Sequence, residues 1–276
     1  MTGASGRLGR EVVRVFADDG PVFGLSRTAL NVADRKAVHA AVTTCTPTLV
    51  VNCAAWTDVD GCEGDPQRAQ RINAAAVGYL RESADSVGAH LVHVSTDFVF
   101  DGKADVPYPE DHPTDPLSVY GSVKLAGEAA AGPSATVVRT SWLQPADAPG
   151  MVERLIVALA SGGPVKMGNE RVACPTFIAD LVPVIRYLGE ERVAGVVHAT
   201  NAGPTSWFDF AREVATAAGL DPGCVVRTPD PGLDGTLPAR RPLFSALDNS
   251  VLRALGRPAI RHHGDAIAEA VARAVG

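Results

Sequence analysis

Along the first half of the chain, short runs in which nearly every position is apolar alternate with longer stretches of helical spacing. The runs "GPVFGLSR", "TPTLVVNCAA" and "AHLVHVS" carry apolar residues on both faces, as strands do when helices cover a parallel sheet on two sides. Between them, "REVVRVF", "NVADRKAVHAAVTTC" and the segment from about Pro66 to Val87 show the three- and four-residue apolar spacing of helices, with Asp34 placed to cap the second. Repetition of strand and helix predicts an α/β fold with a doubly wound, Rossmann-like parallel sheet. The stretch "DFVFDGKADVPYPEDHPTDPLSVYG" is rich in Pro and Asp and has no period. It predicts a long ordered loop over the carboxyl ends of the strands, the side on which such sheets bind ligands.

After that loop, "SVYGSVKLAGEAAAG" returns to helix and "ATVVRTSWL" to strand. From about Ala148 the pattern changes to helices ("PGMVERLIVALAS", "IADLVPVIRYLG", "SWFDFAREVATAAG", "GDAIAEAVARAVG") separated by short extended pieces such as "GVVHAT". This predicts a smaller C-terminal lobe interleaved with the last strands of the sheet.

The chain opens "MTGASGRLGREVVRVF", where Gly3, Gly6 and Gly9 make a G-x-x-G-x-x-G run into the first helix. Such a turn presents backbone N–H groups to a pyrophosphate at a helix N-terminus, and it normally leaves a buried strand. Only Met1 and Thr2 precede it here, so the first strand is expected to be missing from the chain and to lie upstream of Met1. With this turn, residues 1–147 read as a dinucleotide-binding domain and 148–276 mainly as a substrate-binding lobe.

Composition narrows the field further. The 276 residues carry a formal charge of −6, which gives no basic field for nucleic acid or an anionic membrane. Five scattered cysteines without C-x-x-C spacing suggest neither a disulfide framework nor a metal site, and fit a reducing cytoplasm. No apolar run reaches membrane length and no signal-like segment opens the chain, so a soluble, cytoplasmic protein is expected.

The chemistry is concentrated in Thr96, Tyr120 and Lys124. Tyr120 and Lys124 stand four residues apart on a predicted helix and share a face, where an ammonium beside a phenol is expected to lower the tyrosine pKa from about 10. Thr96 ends the preceding strand, so its hydroxyl can meet the same substrate oxygen. Together they describe a general acid with an orienting partner for reducing a ketone beside a hydride donor.

The segments "TGASGRLG", "STDFVFDG", "PLSVYGSVKLAGE", "VVRTSW", "VACPTFIADL", "HATNAGPTSWFDFA" and "RPLFSALDNSVL" together resemble the extended short-chain dehydrogenase/reductases, most closely the dTDP-4-dehydrorhamnose reductases. The resemblance spans nearly the whole chain. It implies NAD(P)H-dependent reduction of the 4-keto group of a nucleotide-linked 6-deoxysugar, with Thr96, Tyr120 and Lys124 as the catalytic set and Asp97, Phe98 and Trp142 at the sugar. It further implies that Gly3, Ser5, Gly6, Arg7, Leu8 and Gly9 pass the cofactor pyrophosphate, that Asn52, Cys53, Ala54 and Ala55 line its adenosine side, and that Asn73, Tyr120 and Lys124 lie near the nicotinamide. A dehydratase of this superfamily would show an Asp-Glu pair after Thr96; here Asp97 is followed by Phe98, a position where relatives often have Tyr. NADP(H) is favoured over NAD(H) because Arg27 follows the second apolar run, where a basic residue can meet a 2′-phosphate; Arg27 as a solvated loop charge is the alternative.

Other residues are read more plainly. Glu11 is expected to be exposed in the first helical turn, His262 and His263 to lie on the surface at a helix start, and Arg240 or Arg241 to reach a diphosphate or the solvent. Three functions stay open: the 4-dehydrorhamnose reductase, a 4-ketoreductase for another nucleotide deoxysugar, and a non-catalytic NADP-binding regulatory subunit. A homodimer is compatible with each.

Overall fold

The computed structural model describes residues 1–145, 149–257 and 259–275. Its main sheet contains β1 (Leu49–Asn52), β2 (His90–Thr96), β3 (Thr136–Thr140) and the strand Gly195–His198, hydrogen-bonded in that order and all parallel. The doubly apolar runs seen in the sequence have a direct structural cause. Val51, Val92, Val138 and Val197 face one hydrophobic core, while Val50, Leu91 and Val137 face another on the opposite side.

Helices supply the other half of each core. On the first face lie Leu8 and Val12 of α1 (Arg7–Phe16) and the apolar stripe from Ile178 to Leu188 on helix Ile178–Glu190. On the second lie Val38 and Val42 of α2 (Arg35–Cys45) and Val77, Leu80 and Ala84 of helix Ala76–Ser86. Each fully buried Val or Leu contributes about 1.5–3 kcal/mol relative to exposure. Asp34 caps α2 as expected, its carboxylate accepting from the N–H groups of Lys36 and Ala37. Helix Ala76–Ser86 is entered through a short helix, Pro66–Gln70, and a π-helical turn, Arg71–Ala75.

A third core lies outside the sheet. Helices Met151–Ala160, Trp207–Ala217 and His263–Val275 pack Leu155, Leu159, Phe210, Val214 and Ile267 together, beside the parallel pair Val165–Gly168 and Val225–Thr228. The helix Ile178–Glu190 and the strand Gly195–His198 come from the same half of the sequence yet belong to the main sheet and its cover. The two halves are thus interleaved. The division at 147/148 lies outside the described residues.

The first strand is represented by one residue. Thr2 bridges Leu25 on one side and Asn52 on the other, both parallel; its N–H donates to the Val51 carbonyl at 3.0 Å, and Leu25 N–H donates to the Met1 carbonyl at 2.9 Å. The apolar run "GPVFGLSR" likewise contributes only Leu25 to the sheet. Beside Thr2, between Phe23–Leu25 and Leu49–Val51, lies a cavity of about 520 Å³ lined by Met1, Val12, Phe16, Leu25, Leu49 and Val51. The Met1 ammonium donates to the Phe23 carbonyl at 3.1 Å, and burial holds its pKa below the ordinary value.

A buried ion pair fastens the helix Val119–Ala131 to the sheet. Arg139 of β3 meets Glu128 through two parallel bonds of 2.9 and 2.7 Å, both side chains are about 5% exposed, and Ser95 of β2 donates to the same carboxylate. Removing one member leaves an uncompensated buried charge. Arg139→Leu is therefore expected to destabilise the protein by about 3–5 kcal/mol, and the double change Arg139→Leu with Glu128→Leu by clearly less than the single one, read from urea unfolding midpoints.

Candidate active site

The site is assembled at the carboxyl ends of β1 and β2, next to the glycine turn. Gly3 has φ +72°, and a Cβ there would lie 2.7 Å from Ala54 N and from Cys53 C. At Gly9 a Cβ would fall 2.1 Å from the Gly3 carbonyl oxygen. The first and third glycines are thus required, one for its left-handed backbone and contact with the β1 end, the other for α1 to pack against the turn. Gly6 is the N-cap of α1, whose first turn holds no acidic residue. Ser5, Gly6 and Arg7 are exposed, whereas the Leu8 side chain points into the core, so only its main chain can face a ligand.

Thr96 ends β2 and caps the short turn Asp97–Val99, its hydroxyl accepting from Phe98 N–H at 3.2 Å and donating to the Asp97 carboxylate at 3.1 Å. Ser118 caps the helix that carries Tyr120 and Lys124 by accepting from Gly121 N–H. Glycine at 121 sets how near this helix lies to β2. A Cβ there would sit 2.2 Å from the Phe98 carbonyl oxygen, so the helix and the Thr96–Phe98 turn are in main-chain contact. The Phe98 ring packs edge-on against Tyr120 at 5.8 Å.

The electrostatics depart from the reading of the sequence. Burial, and then the Asp97 charge, push the Tyr120 phenol above its ordinary pKa, against a hydrogen bond from Thr96 that works the other way. Lys124 does not lower it in this structure. Its Nζ instead donates to the Val94 carbonyl at 2.6 Å and lies 3.3 Å from His93 Nε2, and burial brings its pKa down to about 8. The phenol is protonated and so can give a proton to a carbonyl oxygen gaining negative charge, while its upward shift makes it a weaker acid than a free tyrosine.

Asp97 also behaves differently from an open sugar contact. It is 2% exposed and accepts from Ser245 at 2.5 Å as well as from Thr96. Burial raises its pKa to about 6. Ser245 comes from far along the chain, and its pairing with Asp97 had no local signal in the sequence.

The remaining expected residues are distributed as follows. Cys53 and Ala54 are half-buried and Ala55 exposed at the end of β1, facing the glycine turn. Asn73 is buried and spends its amide on both main-chain groups of Trp56, at 2.8 and 2.9 Å, so it shapes the loop after Ala55. Arg27 is exposed just past Leu25. Trp142 has φ +41° and stacks on Trp207 with centroids 4.0 Å apart and planes 6° from parallel; Trp207 was not singled out in the sequence.

Three surface assignments are corrected. Arg241 forms a two-point ion pair with Asp60 at 2.5 and 3.1 Å, so it is committed to the protein. Glu11 is buried and paired with Arg14: it lies in the second turn of α1, beside Leu8 and Val12 on the face that packs inward. His263 is buried 3.0 Å from Glu213, while its neighbour His262 is exposed.

The raised pKa of Asp97 has a stability consequence whose sign follows from linkage. The folded state holds its proton more tightly than the unfolded state, so the stabilisation is present below about pH 3.8 and is lost as pH rises through about 6. Relative to Asp97→Asn, which does not titrate, the wild-type protein is expected to lose up to about 3 kcal/mol of stability between pH 4 and 7. Paired urea titrations across that range measure it.

Comparison with known proteins identifies the family to which this fold belongs. The family model described as the RmlD substrate binding domain matches residues 1–275. A dTDP-4-dehydrorhamnose reductase of Streptomyces griseus is 39% identical over 279 residues, covering 98% of this chain and 91% of the relative. A probable dTDP-4,6-dihydroxy-2-methyloxan-3-one 4-ketoreductase of Streptomyces antibioticus is 41% identical, covering 98% and 93%. The crystal structure of dTDP-4-dehydrorhamnose reductase from Bacillus anthracis in complex with NADP superposes with a TM-score of 0.88 at 28% identity, covering 96% of this chain and 95% of that one. On the match of the whole fold and of nearly the whole sequence, the chain belongs to the RmlD substrate binding domain family, the family of the dTDP-4-dehydrorhamnose reductases.

Proposed function

We propose that this chain catalyses the NADPH-dependent reduction of the 4-keto group of a nucleotide-linked 6-deoxysugar, with dTDP-4-dehydro-L-rhamnose as the first substrate to test. The observation that carries this reading is the buried Tyr120 phenol, kept protonated beside Thr96 at the carboxyl end of β2. The glycine cradle supports the cofactor. The close backbone approach at Gly3 and Gly9 and the acid-free first turn of α1 suit a pyrophosphate against the N–H groups of Ser5, Gly6, Arg7 and Leu8. Cys53, Ala54 and Ala55 then flank the adenosine side, with Asn73 holding the loop beyond them.

NADPH, when bound there, supplies the hydride that the sugar carbonyl carbon accepts. Tyr120 donates its proton to the carbonyl oxygen, and Thr96 orients that oxygen once its single hydroxyl proton, donated to Asp97 in this structure, turns toward the sugar. Lys124, one turn along the same helix, contacts the nicotinamide ribose, and as an ammonium it offsets the negative charge that forms on Tyr120 during transfer, a role that its resting contacts with Val94 and His93 do not show. Phe98 and Trp142 provide apolar faces for the sugar ring, and the lobe formed mainly by residues 148–276 closes the substrate side. Asp97 acts from beneath by orienting Thr96. The name of the S. antibioticus relative favours a second reading in the same reaction class, a ketoreductase for a different dTDP-deoxysugar.

Two measurements test the proposal. With dTDP-4-dehydro-L-rhamnose and NADPH, Tyr120→Phe is expected to lose about 10²–10⁴ in kcat while binding NADPH as before; wild-type protein that binds NADPH yet leaves this sugar unreduced would point to another nucleotide deoxysugar. Arg27→Ala is expected to raise the KM for NADPH about tenfold and to leave that for NADH unchanged, through loss of one charge-assisted contact to the 2′-phosphate. Equal effects on both cofactors would place Arg27 in the solvent.

A further inference from the structure

Behind Lys124 lies a buried chain of polar side chains that the reaction does not itself use. Thr2 Oγ1 donates to Asn52 Oδ1 at 2.6 Å, and Ala54 N–H donates to the same oxygen at 3.1 Å. Asn52 Nδ2 lies 3.0 Å from His93 Nδ1, and His93 Nε2 lies 3.3 Å from Lys124 Nζ. Thr2, Asn52, His93 and Lys124 are all buried, His93 completely. The chain joins the glycine turn to the helix of Tyr120 through the ends of β1 and β2.

Its proton arrangement can be worked out from one fixed donor. A backbone N–H can only donate, so the Asn52 atom that meets Ala54 is the oxygen, and the atom that meets His93 is the NH₂ group. His93 Nδ1 must then accept. Burial, the largest cause, holds the ring neutral by keeping its pKa well below the usual value. A neutral imidazole with an accepting Nδ1 carries its proton on Nε2, and that N–H is aimed at Lys124 Nζ. An ammonium there would set one donor against another; a neutral amine accepts from His93 and still donates to the Val94 carbonyl. Gly127 admits this arrangement, since a Cβ at that position would stand 2.3 Å from the Asn73 carbonyl oxygen and 3.4 Å from His93 Nε2.

We propose that His93 is a positioning residue for Lys124, locked by Asn52 into the tautomer that presents Nε2–H to the lysine and so favours the uncharged amine when the site is at rest. The proposal rests on the reading of Tyr120 and Lys124 as a reductase pair, because the state of Lys124 then sets the alkaline edge of the reaction. The other groups that act on Lys124 are Glu128 on its own helix and Cys53 at the end of β1, both of which favour the charged form. Tyr120 lies one turn away, with Asp97 behind it. His93 works against Glu128 and Cys53, and Asn52 decides that it does.

The test is an exchange of one amide for a carboxylate of the same shape. Asn52→Asp still accepts from Thr2 and Ala54 but accepts from His93 Nδ1–H as well, which turns the ring over to the other tautomer and gives Lys124 an acceptor. Nitrogen-15 NMR of histidine-labelled protein, with His93 assigned by its loss in His93→Phe, is expected to show Nε2–H in the wild type and Nδ1–H in Asn52→Asp. The Lys124 titration, followed by NMR of labelled lysine, is expected to rise by about one unit or more in Asn52→Asp. It is expected to move by less than half as much when the same change is made in His93→Phe, where only the added charge remains. The basic limb of kcat/KM should move with Lys124. A wild-type His93 protonated on Nδ1 overturns the proposal without any variant, and so does an Asn52→Asp shift of Lys124 that is the same with and without the imidazole. Failure of the reductase reading would be seen separately, as absence of sugar turnover in wild-type protein whose NMR behaviour is as described.

Discussion

The closeness of one helix to the sheet is the constraint on which the site depends. Helix Val119–Ala131 touches main chain at two places, the Phe98 carbonyl beneath Gly121 and the Asn73 carbonyl beneath Gly127. Any side chain at either glycine would lift it away from the strand ends. With both in place, the Tyr120 phenol shares the environment of Thr96 and Asp97, and Lys124 Nζ reaches the Val94 carbonyl. The Arg139–Glu128 pair draws the same helix onto β2 and β3 from its far end. Reacting groups held this rigidly spend little of their binding energy on being oriented.

Much of this was legible because it is written locally. The sheet strands betray themselves by apolar residues on both faces, α2 by its Asp34 cap, and the proposed catalytic set rests on a strand-end threonine and a tyrosine–lysine pair at helical spacing. What the sequence does not carry is the consequence of burial. The i, i+4 spacing put Lys124 on the face of Tyr120 correctly, yet desolvation decides the pKa of each, and it moves the phenol up and the amine down. Asp97 was read as a sugar contact from its place in a motif, and only the fold brings Ser245 to its carboxylate. Arg241 and Asp60 find each other in the same way, as do Trp142 and Trp207.

The glycine turn is tied to the sheet through Thr2 by side chain as well as main chain. Thr2 alone bridges both neighbours, and its side chain doubles the attachment by bonding to Asn52. The order of the sheet reverses here, with Leu25 on one side and β1 on the other, which is the crevice where ligands bind in sheets of this kind. The glycine turn, the β1 end and the helix Val119–Ala131 are therefore fixed to one another by side chains as much as by strand pairing.

The stacked pair Trp142 and Trp207 joins the end of the main sheet to a helix of the separate C-terminal core. Two indoles 4.0 Å apart and nearly parallel behave optically as one coupled chromophore, and the chain holds only three tryptophans. The protein thus carries its own ruler between sheet and lobe: a change in the distance or angle between the two rings alters the near-ultraviolet circular dichroism of this one pair, with no label attached.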